Sequence, residues 1–225
     1  MLTVYWYGIA RSIKKAGLVG LFMQNTLAIM AKAPAMGRVK TRLAKDVGLV
    51  EATRFYRVAL ARLIRRLAAD PRWQTVVAAS PDVQALPDQR WLQDADAVVP
   101  QGEGDLGARM QRVFDTAPKG PVVIIGSDIP DISARHIAQA FKALGTNDAV
   151  MGPSVDGGYW LIGQKRMPKV LMPFEGVEWS SGRERDQTLA NFGSVRVGML
   201  SELSDVDSGA DHAGWRKAEG VPGFR

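Results

Sequence analysis

Val122-Val123-Ile124-Ile125-Gly126-Ser127-Asp128-Ile129-Pro130-Asp131 runs from four β-branched residues straight into a small-residue turn that carries a carboxylate. An unbroken apolar run, without alternation, is what a strand buried on both faces requires, and such strands sit in the middle of parallel sheets. Ligands of open α/β sheets collect beyond the carboxyl ends of the strands. Asp128 is therefore the first candidate functional residue. A carboxylate at that point is expected to be buried beside the strand and to need a cation. Mg²⁺ takes one or two carboxylates together with substrate phosphates, which makes Asp128 a natural ligand. Asp131 reads as a turn or helix-cap residue.

Strand-like and helix-like signals alternate on both sides of this stretch. Strands are expected at Leu27 to Ala31, Thr75 to Ala79, Ala149 to Gly152, Tyr159 to Gly163 and Val195 to Val197. Helices are expected at Val50 to Ala69, with Phe55, Ala59, Leu63 and Leu67 on one face, at Leu106 to Thr116, and at Ala134 to Leu144, capped by Ser133. Arg183 to Phe192 continues the alternation, and a last helix begins near Ser208. The order predicts an α/β fold: a mostly parallel central sheet with helices on both faces. Residues 26–225 read as one domain.

Composition narrows the chemistry. The 225 residues are 46% hydrophobic and 23% charged, which excludes a disordered or fibrous chain. The net charge of +6 favours anionic partners. There is no cysteine and there are only two histidines, so any metal must be held mainly by oxygen, as suits a hard cation. His136 and His212 read as surface residues. No segment reaches the roughly 18 apolar residues that span a bilayer. Residues 1–25 read as an N-terminal extension, basic at Arg11, Lys14 and Lys15 and apolar from Leu18 to Met23. A docked surface helix, a membrane-surface or homo-oligomer contact, and a natural start at Met23 all fit that pattern. A cytoplasmic protein is expected.

Four further segments follow strands or open helices. Lys32-Ala33-Pro34-Ala35-Met36-Gly37-Arg38-Val39-Lys40-Thr41-Arg42 gathers cations in a Pro/Gly loop directly after the first strand. Backbone N–H groups with Arg forks and Lys point charges suit a di- or triphosphate. No Gly precedes Lys40-Thr41, so it is not a Walker loop; a solvated basic loop is the alternative, and the position after the first strand favours anion binding over it. Asp205-Val206-Asp207 places two carboxylates on one side of an extended segment, or caps the last helix through Asp207 or Ser208. Gly152 to Trp160 carries Asp156, Gly157, Gly158 and Tyr159, either as a ligand-approaching turn or as a hairpin. Gly102 to Arg109, with Gly104, Gly107 and Arg109, could meet a base or sugar, or merely turn. The arginines from Arg54 to Arg66 lack the interleaved aromatics of a single-strand binder, and no nucleic-acid partner is expected.

Taken in order, Lys32-Ala33-Pro34, Gly37 to Ala44, Asp105-Leu106-Gly107 with Arg109, Gly126-Ser127-Asp128, Asp156-Gly157-Gly158-Tyr159, Trp179-Ser180 and Asp205-Val206-Asp207 resemble the bacterial radical-SAM/selenodomain-associated transferases of type one. That family is assigned to the GT-A, or nucleotide-diphospho-sugar transferase, superfamily. Lys40-Thr41-Arg42-Leu43 is also similar to a loop of the phospholactate guanylyltransferases. The resemblance implies a GT-A fold, with Lys32, Pro34, Gly37, Arg38, Lys40, Thr41, Arg42, Gly104, Gly107 and Arg109 around a nucleotide. It implies Mg²⁺ or Mn²⁺ on Asp128, Asp205 and Asp207, and an unidentified small-molecule acceptor near Asp156, Gly157, Gly158, Tyr159 and Trp179. Asp128 and Lys40 would carry catalysis. Two reactions are expected: nucleotidyl transfer from a nucleoside triphosphate, slightly favoured by the Lys-Thr-Arg loop, or glycosyl transfer from a nucleotide-sugar. A non-catalytic nucleotide-binding protein is the reading from another class.

Overall fold

The computed structural model describes residues 24–85 and 89–218. The expected N-terminal extension, apart from Gln24 and Asn25, and the start at Met23 lie outside the described residues. Seven strands form one sheet: β1 (Thr26–Lys32), β2 (Gln74–Ser80), β3 (Ala97–Pro100), β4 (Val122–Gly126), β5 (Ala149–Pro153), β6 (Tyr159–Gln164) and β7 (Val197–Met199). Their spatial order is β3-β2-β1-β4-β6-β5-β7. β3, β2, β1 and β4 run parallel; β6 is antiparallel to both β4 and β5, and β7 is parallel to β5. The expected sheet is present, and its central strand β4 is parallel on one side only.

Alternate side chains of each strand enter different cores, because the strand period is two. Leu27, Ile29, Val77, Val123 and Ile125 pack with helix α2 (Leu49–Ala68) and helix α4 (Ala134–Leu144). Ala28, Met30, Val76, Ala78, Val122 and Ile124 face the opposite layer, with helix α3 (Leu106–Thr116) and helix α5 (Glu184–Phe192). This double burial is why the strands read as continuous apolar runs. The short helix α1 (Ala44–Val47) precedes α2, and α6 (Gly209–Ala218) closes the chain.

Helix α2 is buried on two sides. Phe55 and Ala59 join Leu43, Val206 and Trp215 in a satellite core under α6, whereas Leu63 and Leu67 meet the sheet. Four-residue steps at 3.6 residues per turn drift by about 40° each, so the four positions span roughly 120° of the cylinder. His212 is buried in this satellite core, with its ring 5.2 Å from Phe55 and 6.1 Å from Trp215, not on the surface. His136 sits at the start of α4, where Ser133 N–H donates to its Nδ1 at 3.2 Å in a capping box. No helix among the described residues is long and apolar enough to cross a membrane.

Candidate functional site

The carboxyl ends of β1, β2 and β4 border a cleft of about 760 Å³. Its walls include Lys32, Arg38, Lys40, Thr41, Arg42, Gly104, Arg109, Ser127, Asp128, Ser180 and Asp207. Residues spread over most of the chain thus meet at one sheet edge.

Lys40 is the centre of the arrangement. Its backbone sits in the left-handed region, with φ of 47°, a conformation uncommon for a side-chain-bearing residue. The turn aims its ammonium inward, where the side chain is only 5% exposed. Nζ donates to Asp207 Oδ1 at 2.8 Å and lies 3.3 Å from Asp128 Oδ1. Burial alone would lower the Lys40 pKa, but Asp128 and Asp207 outweigh it and hold the pKa above its usual value. Arg42 adds a looser contact, Nη1 to Asp207 Oδ2 at 3.4 Å, from a side chain that is 77% exposed.

The extended segment 205–207 splits as its period requires. Val206 is buried in the satellite core, and Asp205 and Asp207 lie on the side of Lys40. Burial, followed by the charge of Asp207, pushes the Asp205 carboxyl up to about 6. Burial also works against the charge of Asp207, but its hydrogen bond from Lys40 wins and lowers its pKa. Asp207 does not cap α6. That role belongs to Ser208, which exchanges hydrogen bonds with Asp211: Ser208 N–H donates to Asp211 Oδ2 at 2.9 Å, and Asp211 N–H donates to Ser208 Oγ at 3.2 Å. Asp128 departs from the sequence expectation. Its side chain is 58% exposed at the cleft, and the buried polar residue of the turn is Ser127.

Beneath the cleft, Tyr56 of α2 ties two strand ends together. Its hydroxyl donates to the Lys32 carbonyl and accepts from the Lys32 N–H, both at 3.0 Å, and lies 3.1 Å from Ser127 Oγ. Burial is the main reason its pKa is pushed up to about 12. On the far wall, Gln101 donates to the carbonyls of Ala31 and Ala78. Its Oε1 then accepts from Arg109, whose Nε also donates to the Gly104 carbonyl at 2.9 Å. The Arg109 guanidinium is thereby fixed at the cleft wall. The sequence does not single out Tyr56 or Gln101, and it gives Ser127 and Ser180 only as members of motifs, without a role. A polar hydroxyl at Tyr56, one turn before the sheet-facing Leu60, was the available signal.

Other expected site residues stand elsewhere. Pro34 lines a neighbouring cavity. Gly37 is exposed and lines neither space. Gly107 is a packing residue: a Cβ there would meet Phe174 Cβ and the Trp179 ring, each at 2.8 Å. Trp179 is thus packed beneath the start of α3. Asp156 serves the β5–β6 hairpin turn, accepting from Ser154 Oγ at 2.6 Å and Gly158 N–H at 3.1 Å. Tyr159 is partly buried beside Thr188, and desolvation of its hydroxyl raises its pKa. The hairpin still touches the cleft indirectly. Gly157 has φ of 86°, and a Cβ on it would lie 2.2 Å from the Gly182 carbonyl, so only glycine lets the 179–183 strap rest on the turn. Ser180 of that strap reaches the cleft.

Among the described residues, no three acidic or histidine side chains close into a ready metal cage. The cation that Asp128 and Asp207 face is the Lys40 ammonium. The donor set is hard oxygen, and two carboxylates completed by phosphate oxygens are what Mg²⁺ commonly accepts. The residues therefore fit a divalent ion that enters together with a phosphate ligand.

Many solved structures share the architecture, three of them as follows. A candidate nucleotide-diphospho-sugar transferase from Desulfovibrio desulfuricans G20 is 29% identical, with a TM-score of 0.78 and 91% of each chain covered. The 4-diphosphocytidyl-2C-methyl-D-erythritol synthase of Anaerococcus prevotii DSM 20548 is 11% identical, with a TM-score of 0.60 over 88% of this chain and 99% of that one. A CMP:2-keto-3-deoxy-manno-octonic acid synthetase complexed with CTP is 12% identical, with a TM-score of 0.55 over 88% and 98%. The last two likenesses show the fold alone. No protein of curated function matches. The bacterial family described as "Uncharacterized protein conserved in bacteria (DUF2064)" matches residues 63–181, a segment that includes Asp128. That segment is more than half of the chain, and the protein belongs to the DUF2064 family.

Proposed function

We propose that this protein is a divalent-metal-dependent transferase that uses a nucleotide donor, with nucleotidyl transfer from a nucleoside triphosphate as the favoured reaction. One observation carries the reading: a nearly buried lysine, Lys40, clamped between Asp128 and Asp207 at the carboxyl edge of a sheet, with Lys32, Arg38 and Arg42 along the same cleft. A buried cation and exposed guanidinium groups at a strand-end loop are the parts a polyphosphate site needs. The resemblance to the radical-SAM-associated transferases and phospholactate guanylyltransferases supports it.

Lys40 and Arg42 would hold phosphate oxygens, and Arg38 and Lys32 would receive the outer phosphates. Arg109 and Gly104 would border the base or sugar. Asp128 and Asp207, with Asp205 beside them, would hold Mg²⁺ or Mn²⁺, which supplies charge neutralisation at phosphate oxygens. When the donor enters, Lys40 would exchange a carboxylate for a phosphate oxygen and stay in place to stabilise charge on the departing phosphate. Tyr56 would keep the ends of β1 and β4 in register. The acceptor would approach past the 179–183 strap and the hairpin at Asp156 to Tyr159.

Glycosyl transfer from a nucleotide-sugar is the second reading, favoured by the description of the D. desulfuricans structure. ³¹P NMR separates the two. The protein is incubated with each nucleoside triphosphate or nucleotide-sugar, Mg²⁺ and a bacterial metabolite extract. Pyrophosphate is the expected product. Nucleoside diphosphate from a nucleotide-sugar would replace the first reading with the second, and no turnover with any donor would count against both.

A further inference from the structure

Beside the nucleotide cleft lies a second and larger cavity, of about 1140 Å³. The 33–38 loop forms one wall, Arg57 and Ala61 of α2 a second, and Ser80, Pro81 and Gln84 after β2 a third. Arg90 and Trp91 complete it. Lys32 and Arg38 border both spaces, whereas Lys40, Asp128 and Asp207 border only the nucleotide cleft.

The two spaces differ in charge balance. The nucleotide cleft carries acids that neutralise part of its cations. Among the described residues lining the second cavity there are four cations, Lys32, Arg38, Arg57 and Arg90, and no carboxylate. No carboxylate of the described residues forms an ion pair with Arg38, Arg57 or Arg90. Like charges held together around a concave surface repel one another, and an anion relieves that cost. The cavity is not a bare basic patch, because Ala33, Pro34, Ala35, Ala61, Pro81 and Trp91 give it an apolar lining. Trp91 is partly buried against the sheet-side core, which fixes one aromatic surface in the wall. An apolar pocket with a few convergent polar groups is the usual form of a small-molecule site.

We propose that this cavity is a second ligand site, separate from the nucleotide cleft, that binds a small phosphate ester with an apolar or aromatic body. The phosphate meets the guanidinium groups of Arg57 and Arg90, whose forks match phosphate oxygens. The body lies against Trp91 and the alanine-proline wall. The site does not depend on the nucleotide being a substrate.

Phenyl phosphate is the probe. It is titrated calorimetrically into the wild-type protein, into an Arg57→Gln/Arg90→Gln double variant and into Lys40→Ala. Both arginines are exposed, so the double variant keeps its fold, and an unchanged melting temperature checks this. Wild type is expected to bind, and the double variant to bind at least roughly tenfold more weakly, as the loss of charge-assisted hydrogen bonds requires. Lys40→Ala is expected to bind as wild type does. Inorganic phosphate is expected to bind more weakly than phenyl phosphate, because it lacks the body. Absence of binding to wild type, equal binding by the double variant, or loss of binding in Lys40→Ala would each overturn the proposal. Nucleotide titrations of the same variants report separately on the neighbouring cleft.

Discussion

The two walls of the nucleotide cleft are built in opposite ways. The cationic wall is one contiguous stretch: Lys32, Arg38, Lys40 and Arg42 fall within eleven residues that begin at the last residue of β1. The acidic wall is assembled from distant pieces, with Asp128 after β4 and Asp207 just before α6. Lys40 and Asp207 are 167 residues apart and meet at 2.8 Å. A contiguous wall can be written in a motif, but an assembled wall exists only in the folded chain. The acidic wall should therefore fail through loss of chemistry, and the cationic wall through loss of binding.

The largest expected effect is on the acidic wall. Asp128→Ala should reduce metal-dependent turnover by roughly a hundredfold or more, comparable to removing a transition-state electrostatic partner. Its side chain is exposed, so the melting temperature should stay within a few degrees of wild type. Steady-state kinetics at several Mg²⁺ concentrations, paired with thermal unfolding, would show it. Preserved turnover would remove Asp128 from the site.

Packing behind the cleft gives the next effect. Gly107→Ala places a methyl group against Phe174 and Trp179, and overpacking of that kind costs about 1–3 kcal/mol. Denaturant unfolding should register the loss. If nucleotide binding falls while stability does not, Gly107 belongs to the binding wall and not to the core.

Tyr56 joins the walls and gives a pH test. Its pKa is pushed up to about 12, so the unfolded chain loses the phenolic proton first as pH rises. The unfolded state then binds fewer protons than the folded one, and stability falls between roughly pH 10 and 12. The shift corresponds to about 2–3 kcal/mol. Tyr56→Phe should flatten that alkaline decline, and only in part, since Tyr159 and Lys40 are also raised. An unchanged decline would contradict the buried hydroxyl.

The smallest effect belongs to Arg42. Its side chain is mostly exposed and its contact with Asp207 is long, and exposed pairs are worth about 0–1 kcal/mol. Arg42→Ala should weaken nucleotide binding only a few-fold by calorimetry. A loss equal to that of Lys40→Ala would mean the loop acts as a single unit, without a dominant lysine.

Much of the fold was legible because double-sided burial writes itself as apolar runs, as at Val122 to Ile125 and Leu27 to Ala31. The edge strand Ala97–Pro100 is not legible in the sequence, since four residues beside a polar turn leave little pattern. The last strand lies at Val197–Met199, where the sequence pattern points to Val195 to Val197, because a short edge strand need not end at its last β-branched residue. The basic loop and Asp128 were legible as residues at a strand end. The exposure of Asp128 was not, since it depends on which side chain of the turn points inward. Tyr56 and Gln101 look like ordinary helix and loop residues until the ends of β1, β2 and β4 are brought beside them. The Asp205/Asp207 pair was readable as alternation, but its partner Lys40 was set only by long-range packing.

The central claim is that Lys40 grips a nucleotide phosphate. Calorimetric titration of a panel of nucleoside triphosphates with Mg²⁺, into wild type and Lys40→Ala, addresses it most directly. At least one triphosphate should bind wild type and lose roughly tenfold to a hundredfold in affinity on substitution, the worth of a charge-assisted hydrogen bond. Equal affinity in the two proteins, or no triphosphate bound by wild type, would contradict it.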